Sequence, residues 1–127
     1  MITSEQEVIA KKVLDCAFEV HSVLGAGLLE STYQKCLVYE LRNIGLFVEE
    51  EKSMPIVYKG VKIECGYRID ILVEKNKLII ENKAVSELID IHLAQILSYM
   101  KLSGISLGLL LNFNVRSLKS GIKRVVL

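Results

Sequence analysis

The chain has 127 residues, of which 51% are hydrophobic and 24% are charged, and this size and composition are typical of one globular domain with a packed core. Its 16 basic and 15 acidic residues give a net charge of +1, which excludes a strong overall electric field that attracts nucleic acid. Any binding of nucleic acid must therefore use a local patch of positive charge. The sequence shows no basic-then-apolar leader, and no apolar run approaches the roughly 20 residues of a membrane helix. We therefore expect a single cytoplasmic domain over residues 1–127 without membrane contact.

The first part of the chain predicts two helices. The first begins at a capping box that starts at Ser4, continues with apolar residues at helical spacing, and ends at the glycine-rich residues 25–27. The second spans about residues 29–44, and Gly45 stands where a left-handed terminal residue is expected. Glu30 therefore lies in the first turn of the second helix.

The rest of the chain predicts a sheet interrupted by one helix. Short β-rich runs predict an antiparallel meander; they cover residues 47–50, 55–58, 61–65, 67–74 and 77–83. A third helix is predicted over residues 87–103, with Ser86 as its cap and Gly104 as its stop. A very apolar run follows at residues 105–111, of which residues 107–111 predict a strand buried on both faces, and a last strand is predicted at residues 122–126. This order of elements predicts a mixed α/β sandwich in which helices flank a central sheet.

Two clusters of charged residues flank the turn predicted at residues 75–76. Alternation of side chains along a strand puts Glu81 and Lys83 on one face. A two-residue loop places Asp70 directly opposite Glu81, and a loop shifted by one residue places it opposite Lys83. A three-residue loop would place Asp70 against Asn82 instead. Two of the three registers therefore bring carboxylates and an ammonium into one patch.

This patch has the chemistry of a metal site. Opposed carboxylates destabilise a sheet by up to about 1 kcal/mol, and a cation between Asp70 and Glu81 removes that penalty. Carboxylate oxygens suit a hard ion such as Mg²⁺ or Mn²⁺, and Lys83 would then orient or help deprotonate a water on the ion. The alternative is an ordinary salt-bridged pair on a half-solvated sheet.

The third helix carries a stripe of polar side chains. His92, Gln95 and Tyr99 follow each other at helical spacing on one face, while Ile91 and Ile96, together with Leu97 and Met100, are expected to supply the apolar contact to the sheet. The polar stripe would then border a cleft, although each of its members taken alone also fits a structural role.

The segment Gly27-Leu28-Leu29-Glu30-Ser31-Thr32-Tyr33 carries a G-x-x-E-x-x-Y signature. In this signature the chain resembles the GxxExxY family of small prokaryotic proteins in the PD-(D/E)XK nuclease superfamily. The resemblance extends over nearly the whole chain and includes the segments at residues 20–21, 67–70, 81–83, 92–99 and 108–113. One departure is Asn82, because the middle residue of the E-x-K segment is commonly apolar in this family.

The resemblance implies a restriction-endonuclease-like three-layer sandwich with a metal-dependent active site. The residues it implies as catalytic are Glu30, Asp70, Glu81, Lys83, Gln95 and Tyr99. The ligands of Mg²⁺ or Mn²⁺ would be Asp70, Glu81 and the backbone carbonyl of Asn82, and Glu30 would add a ligand or hold a water. Arg68 and His92 would orient the site or contact a phosphate.

The function that follows from the resemblance is divalent-metal-dependent hydrolysis of phosphodiester bonds in nucleic acid, and we expect DNA rather than RNA as the substrate. Further phosphate contacts are expected from Lys101, Lys123 and Arg124. A homodimer would fit this function, because two sites related by a two-fold axis could address both strands. The alternative is a catalytically idle module that keeps the fold and acts by binding nucleic acid or protein.

Overall fold

Three helices and seven strands form the chain, which the computed structural model describes over residues 1–127. In chain order they are α1 (Ser4–Leu24), α2 (Glu30–Asn43), β1 (Val48–Ser53), β2 (Ile56–Tyr58), β3 (Val61–Ile63), β4 (Arg68–Val73), β5 (Leu78–Lys83), α3 (Asp90–Ser103), β6 (Leu107–Asn112) and β7 (Ile122–Val126). A short 3-10 turn at Leu118–Gly121 precedes β7. None of the helices is both long and apolar enough to span a membrane.

The main sheet has five strands in the order β1-β4-β5-β6-β7, and only the β5–β6 pair is parallel. The predicted continuous meander is therefore wrong, because β2 and β3 pair with each other in a separate two-stranded sheet. The tight turn at Lys59 and Gly60 makes these two short strands partners of one another. β1 is then free to pair directly with β4, with Glu50 opposite Ile71.

The predicted doubly buried strand is confirmed in β6. All six of its residues are buried, because it lies between β5 and β7 and is covered by helices on both faces. Gly108 allows α3 to approach closely, since a Cβ atom there would lie 2.8 Å from Sδ of Met100 and 3.0 Å from Cδ1 of Ile96.

Helices cover both faces of the sheet, which confirms the predicted three-layer sandwich. α1 and α2 pack on one face through the larger apolar cluster, which includes Val13, Leu37 and Ile80. α3 packs on the other face through a smaller cluster, which includes Ile96 and Met100. These two faces are called the α1/α2 face and the α3 face below.

The prediction that Ile91 contacts the sheet is wrong. Ile91 is 66% exposed, whereas Ile96 and Met100 are fully buried and Leu97 is partly buried against them. Ile96 lies five positions after Ile91, so the two side chains point about 140° apart around the helix axis.

Two helix starts also differ from the prediction. α1 is capped by Thr3 and not by Ser4: Oγ1 of Thr3 accepts the N–H of Gln6 at 3.1 Å, and Oε1 of Gln6 accepts the N–H of Thr3 at 3.0 Å. α3 begins at Asp90, later than predicted, and Ser86 does not cap it. Instead Nδ1 of His92 accepts the N–H of Ile89 at 3.1 Å.

Candidate active site

The β4–β5 hairpin sets the position of the two central carboxyl groups. Its register pairs Ile71 with Ile80, which is the register predicted for a two-residue loop and brings Asp70 opposite Glu81. The regular pairing of the two strands ends at Ile71 and Ile80. Beyond it, Oδ2 of Asp70 accepts the backbone N–H of Asn82 at 2.9 Å. The two strands therefore separate at Asp70, and a side chain fills part of the opening between them.

The backbone is irregular on both sides of this opening. Ile71 packs on the α1/α2 face, but Ile69 packs with Leu72 on the α3 face, so side-chain alternation along β4 breaks at Asp70. On the neighbouring strand β1, Glu51 adopts a left-handed φ of 53°, a conformation that residues other than glycine rarely adopt. The bend in β4 places the Asp70 carboxyl at the edge of a cleft.

Burial dominates the electrostatics of the two carboxyl groups. It raises the pKa of Glu81 to about 8, and the neighbouring Asp70 charge adds to the effect while Lys83 opposes it. Burial likewise raises the pKa of Asp70 to about 6, against the opposing effect of the Asn82 N–H bond. Glu81 is only 3% exposed, and its Oε1 has no hydrogen-bond partner. The positive charge of Lys83 therefore does not offset the burial of the pair, and Oε1 of Glu81 is free to bind a cation.

A row of polar side chains connects β5 to α3. Nζ of Lys83 lies 3.6 Å from Oε2 of Glu81 and donates to Oε1 of Gln95 at 3.0 Å. Nε2 of Gln95 donates in turn to the hydroxyl of Tyr99 at 3.1 Å. Burial raises the pKa of Tyr99 above its ordinary value. Glu81 and Lys83 share one face as predicted, and α3 holds the ammonium group in place.

A cavity of about 420 Å³ opens beside Asp70. Its lining residues are Leu29, Glu30, Ser31, Gln34, Lys35, Glu50, Glu51 and Asp70. Glu30 is the first residue of α2 and so lies in its first turn, as predicted, and its charge contributes to the raised pKa of both Asp70 and Glu81. We call this region the acidic cavity.

The tyrosine of the G-x-x-E-x-x-Y signature has a structural role. The hydroxyl of Tyr33 donates to the carbonyl of Gly25 at 2.6 Å and accepts the N–H of Leu28 at 3.0 Å. Its fully buried ring stacks on Phe113, with centroids 4.8 Å apart. Tyr33 therefore ties the glycine-rich loop to α2 and fixes the start of the helix, where Glu30 lies.

Gln34 is a site residue that the sequence analysis missed. Its Nε2 lies 3.2 Å from Oε2 of Glu50 and 3.2 Å from Oε1 of Glu51, and it orients both carboxylates in the acidic cavity. The i, i+4 spacing from Glu30 was the available signal, since it puts both side chains on one helix face. Glu50 and Glu51 reach the site only because β1 pairs with β4.

The predicted substrate-binding residues lie on three different elements of the fold. Arg68 is exposed at the start of β4 and Lys101 is exposed on α3. His92 is partly buried and uses Nδ1 to cap α3. Lys123 and Arg124 lie on β7, two strands from β5, and Arg124 binds Glu7 of α1 at 2.7 Å. Arg124 is therefore directed to the α1/α2 face, away from Glu81.

Side chains of this site can supply only part of the ligands of a hard divalent ion. Asp70 and Glu81 supply carboxylate oxygens, but no three His, Cys, Asp or Glu side chains lie close enough to hold an ion by themselves. Mg²⁺ usually binds through one or two carboxylates and keeps several waters. Such an ion would give Oε1 of Glu81 a partner. Its positive charge would also favour the charged form of both carboxyl groups, whose pKa values are raised.

An α/β/α sandwich with an aspartate and an E-x-K segment on neighbouring strands is the architecture of restriction-endonuclease-like proteins. The chain belongs to the PD-(D/E)XK nuclease superfamily, whose family model matches residues 7–125. Neither the curated proteins nor the solved structures contain a match to it. The family match supports a nuclease-like function for this fold, and membership of the GxxExxY family stays a prediction.

Proposed function

We propose that the protein is a divalent-metal-dependent nuclease of the GxxExxY family that hydrolyses phosphodiester bonds of nucleic acid, with DNA as the expected substrate. The observation that carries the proposal is the pair formed by the half-buried Asp70 and the buried Glu81, in which one oxygen of Glu81 has no partner and Lys83 is held alongside. A buried like-charged pair that serves only stability is unfavourable, because burial disfavours both charges. A cation bound between the two carboxyl groups would offset this cost.

Asp70 and Glu81, joined by the backbone carbonyl of Asn82, would hold Mg²⁺ or Mn²⁺. Such an ion, when bound, neutralises charge on the phosphate and lowers the pKa of an attacking water. Glu30 adds a carboxylate that can accept a hydrogen bond from that water, since it lines the same cavity as Asp70.

Lys83 has the position of the group that acts on the phosphate or the water. Its three donor hydrogens serve Glu81 and Gln95 and leave one for substrate. Gln95 holds the ammonium through its carbonyl oxygen because Tyr99 takes up its amide nitrogen. A positively charged donor fixed in this way stabilises charge on the phosphate oxygens as the bond to the leaving group breaks.

The test is cleavage of a panel of single-stranded, duplex and branched DNA and the corresponding RNA, with Mg²⁺, with Mn²⁺ and with a chelator. Asp70→Asn and Lys83→Ala are expected to abolish hydrolysis and to leave the fold intact. Lys12→Ala, at an exposed position of α1, is the matched control and should cleave like the wild type.

The alternative function is the catalytically idle module. Ion binding measured by calorimetry, lost in Glu81→Gln but accompanied by no cleavage of any substrate in the panel, would favour that alternative. Cleavage that persists in both purified Asp70→Asn and Lys83→Ala would show that the assigned residues do not form the active site.

A further inference from the structure

A second cavity, of about 380 Å³, opens on the α3 side of the active site. It is lined by Ile56, Tyr67, Gln95, Ser98, Tyr99 and Leu102. None of these six side chains is charged, and two of them are aromatic. We call this cavity the aromatic groove. It lies between the C-terminal half of α3 and the segment that joins β1 to β4.

The aromatic groove is continuous with the proposed catalytic residues. Gln95 and Tyr99 line the groove and also form the row that holds Nζ of Lys83, through bonds of 3.0 Å and 3.1 Å. A molecule seated in the groove therefore lies within two side chains of the position where Lys83 meets a phosphate. Such a molecule would be a nucleotide neighbouring the bond that is cleaved.

The two aromatic rings differ in accessibility. Tyr67 is 46% exposed, whereas Tyr99 is only 7% exposed. Their ring centroids are 6.2 Å apart and the ring planes meet at 59°. The exposed Tyr67 ring is therefore available to stack on a flat ring, which would also lie close to Tyr99 and Gln95 because all three residues line the same groove. Stacking of this kind binds nucleobases without regard to sequence.

Charge distinguishes the two sides of the active site. The acidic cavity carries four carboxyl groups and one ammonium among its lining residues, so it repels a phosphate chain. The aromatic groove is uncharged and carries no carboxylate that would repel a phosphate chain. A polyanion is therefore accommodated along the aromatic groove and not along the acidic cavity.

We propose that the aromatic groove binds one unpaired nucleobase of the substrate strand, so that the protein acts on single-stranded or frayed nucleic acid in preference to intact duplex. This inference rests on the proposed nuclease function. In a duplex the base is stacked and paired, and seating it in the groove requires that it be flipped out, which costs a few kcal/mol. A single strand presents the base without that cost.

The experiment measures binding of two labelled ligands of equal length and charge by fluorescence anisotropy. One is a single-stranded DNA, and the other is a chain of abasic tetrahydrofuran phosphates. The Glu81→Gln background prevents cleavage during the measurement. Protein with an intact groove should bind the DNA about tenfold more tightly than the abasic chain, the factor expected for one stacked base.

Three further substitutions in that background locate the effect. Tyr67→Leu should bind both ligands equally, and Tyr67→Phe should keep the preference because it keeps the ring. Tyr39→Leu is the matched control, since Tyr39 is 68% exposed on α2 and lies outside the groove. Thermal melting checks that each variant is folded. A preference for DNA that survives Tyr67→Leu, or equal binding of both ligands by protein with an intact groove, would overturn the proposal.

Cleavage assays separate this proposal from the nuclease function. Wild-type protein that cleaves nothing but prefers the base-containing strand through Tyr67 would contradict the nuclease function alone. Conversely, cleavage that is lost in Asp70→Asn, combined with equal rates on single strand and duplex, would contradict the aromatic groove alone.

Discussion

Replacing Glu81 with glutamine is expected to stabilise the metal-free protein at neutral and alkaline pH. Burial and the charge of Asp70 raise the pKa of Glu81 from 4.5 to about 8 on folding. Between these two pH values the folded protein binds more protons than the unfolded chain, so its stability falls as the pH rises. Below pH 4.5 the carboxyl is protonated in both states and the stabilising contribution is fully present. Glutamine has the same shape but does not titrate.

The expected magnitude follows from the size of this shift. Each pKa unit corresponds to about 1.4 kcal/mol, so the Glu81 carboxyl costs the wild type about 3 kcal/mol at pH 7 and about 5 kcal/mol above pH 8. Little of this is lost to solvent screening, because Glu81 is 3% exposed. For a domain of this size, about 3 kcal/mol corresponds to a rise of roughly 10 °C in the melting temperature.

The assay is urea denaturation of chelator-treated wild type and Glu81→Gln at a series of pH values. Glu87→Gln, at an exposed position, is the control and should follow the wild type. Addition of Mg²⁺ should stabilise the wild type, by about 2.7 kcal/mol at a hundredfold excess over Kd, and should leave Glu81→Gln unchanged. A Glu81→Gln protein that is less stable than the wild type at pH 8, or that shows the same pH dependence, would refute the reasoning.

Three further predictions concern the packing of the fold. Tyr33→Phe loses two buried hydrogen bonds and should lower the free energy of unfolding by about 1–3 kcal/mol, whereas the exposed Tyr39→Phe should have no effect in the same urea titration. Asn82→Leu removes a fully buried carboxamide without partners and should raise the free energy of unfolding by about 1–2 kcal/mol; a loss of stability would contradict this. Gly121→Ala should raise the unfolding rate more than Gly108→Ala in stopped-flow measurements, because its Cβ would meet rigid backbone while the latter meets flexible side chains; equal effects would argue against this packing.

Much of the architecture was predictable because it depends on local pattern. Helical spacing of apolar residues located α1 and α2, and an uninterrupted apolar run located the buried strand β6. For the register of the β4–β5 hairpin, the short turn and the period of two left three alternatives, and the structure has the one predicted for a two-residue loop. Two of the three alternatives considered place Asp70, Glu81 and Lys83 in one patch, as they are in the structure.

The separate β2–β3 hairpin was not predictable by the same means. Each of these strands has three residues, and alternation over so short a run does not indicate which neighbour a strand will pair with. The choice between a meander and a hairpin excluded from the sheet depends on contacts between β1 and β4. These residues are distant in the chain, and their pairing brings Glu51 opposite the bend at Asp70.

By itself the sequence determined which residue types are available and which lie on a common face, since the periods of helices and strands are properties of the local backbone. Only the tertiary structure decided how those faces meet. It decided that Gln34 orients Glu50 and Glu51, that Tyr33 fixes the start of α2, and that Glu81 is buried deeply enough to have its pKa raised to about 8. Burial and long-range contact depend on elements far apart in the chain, and no local pattern encodes them.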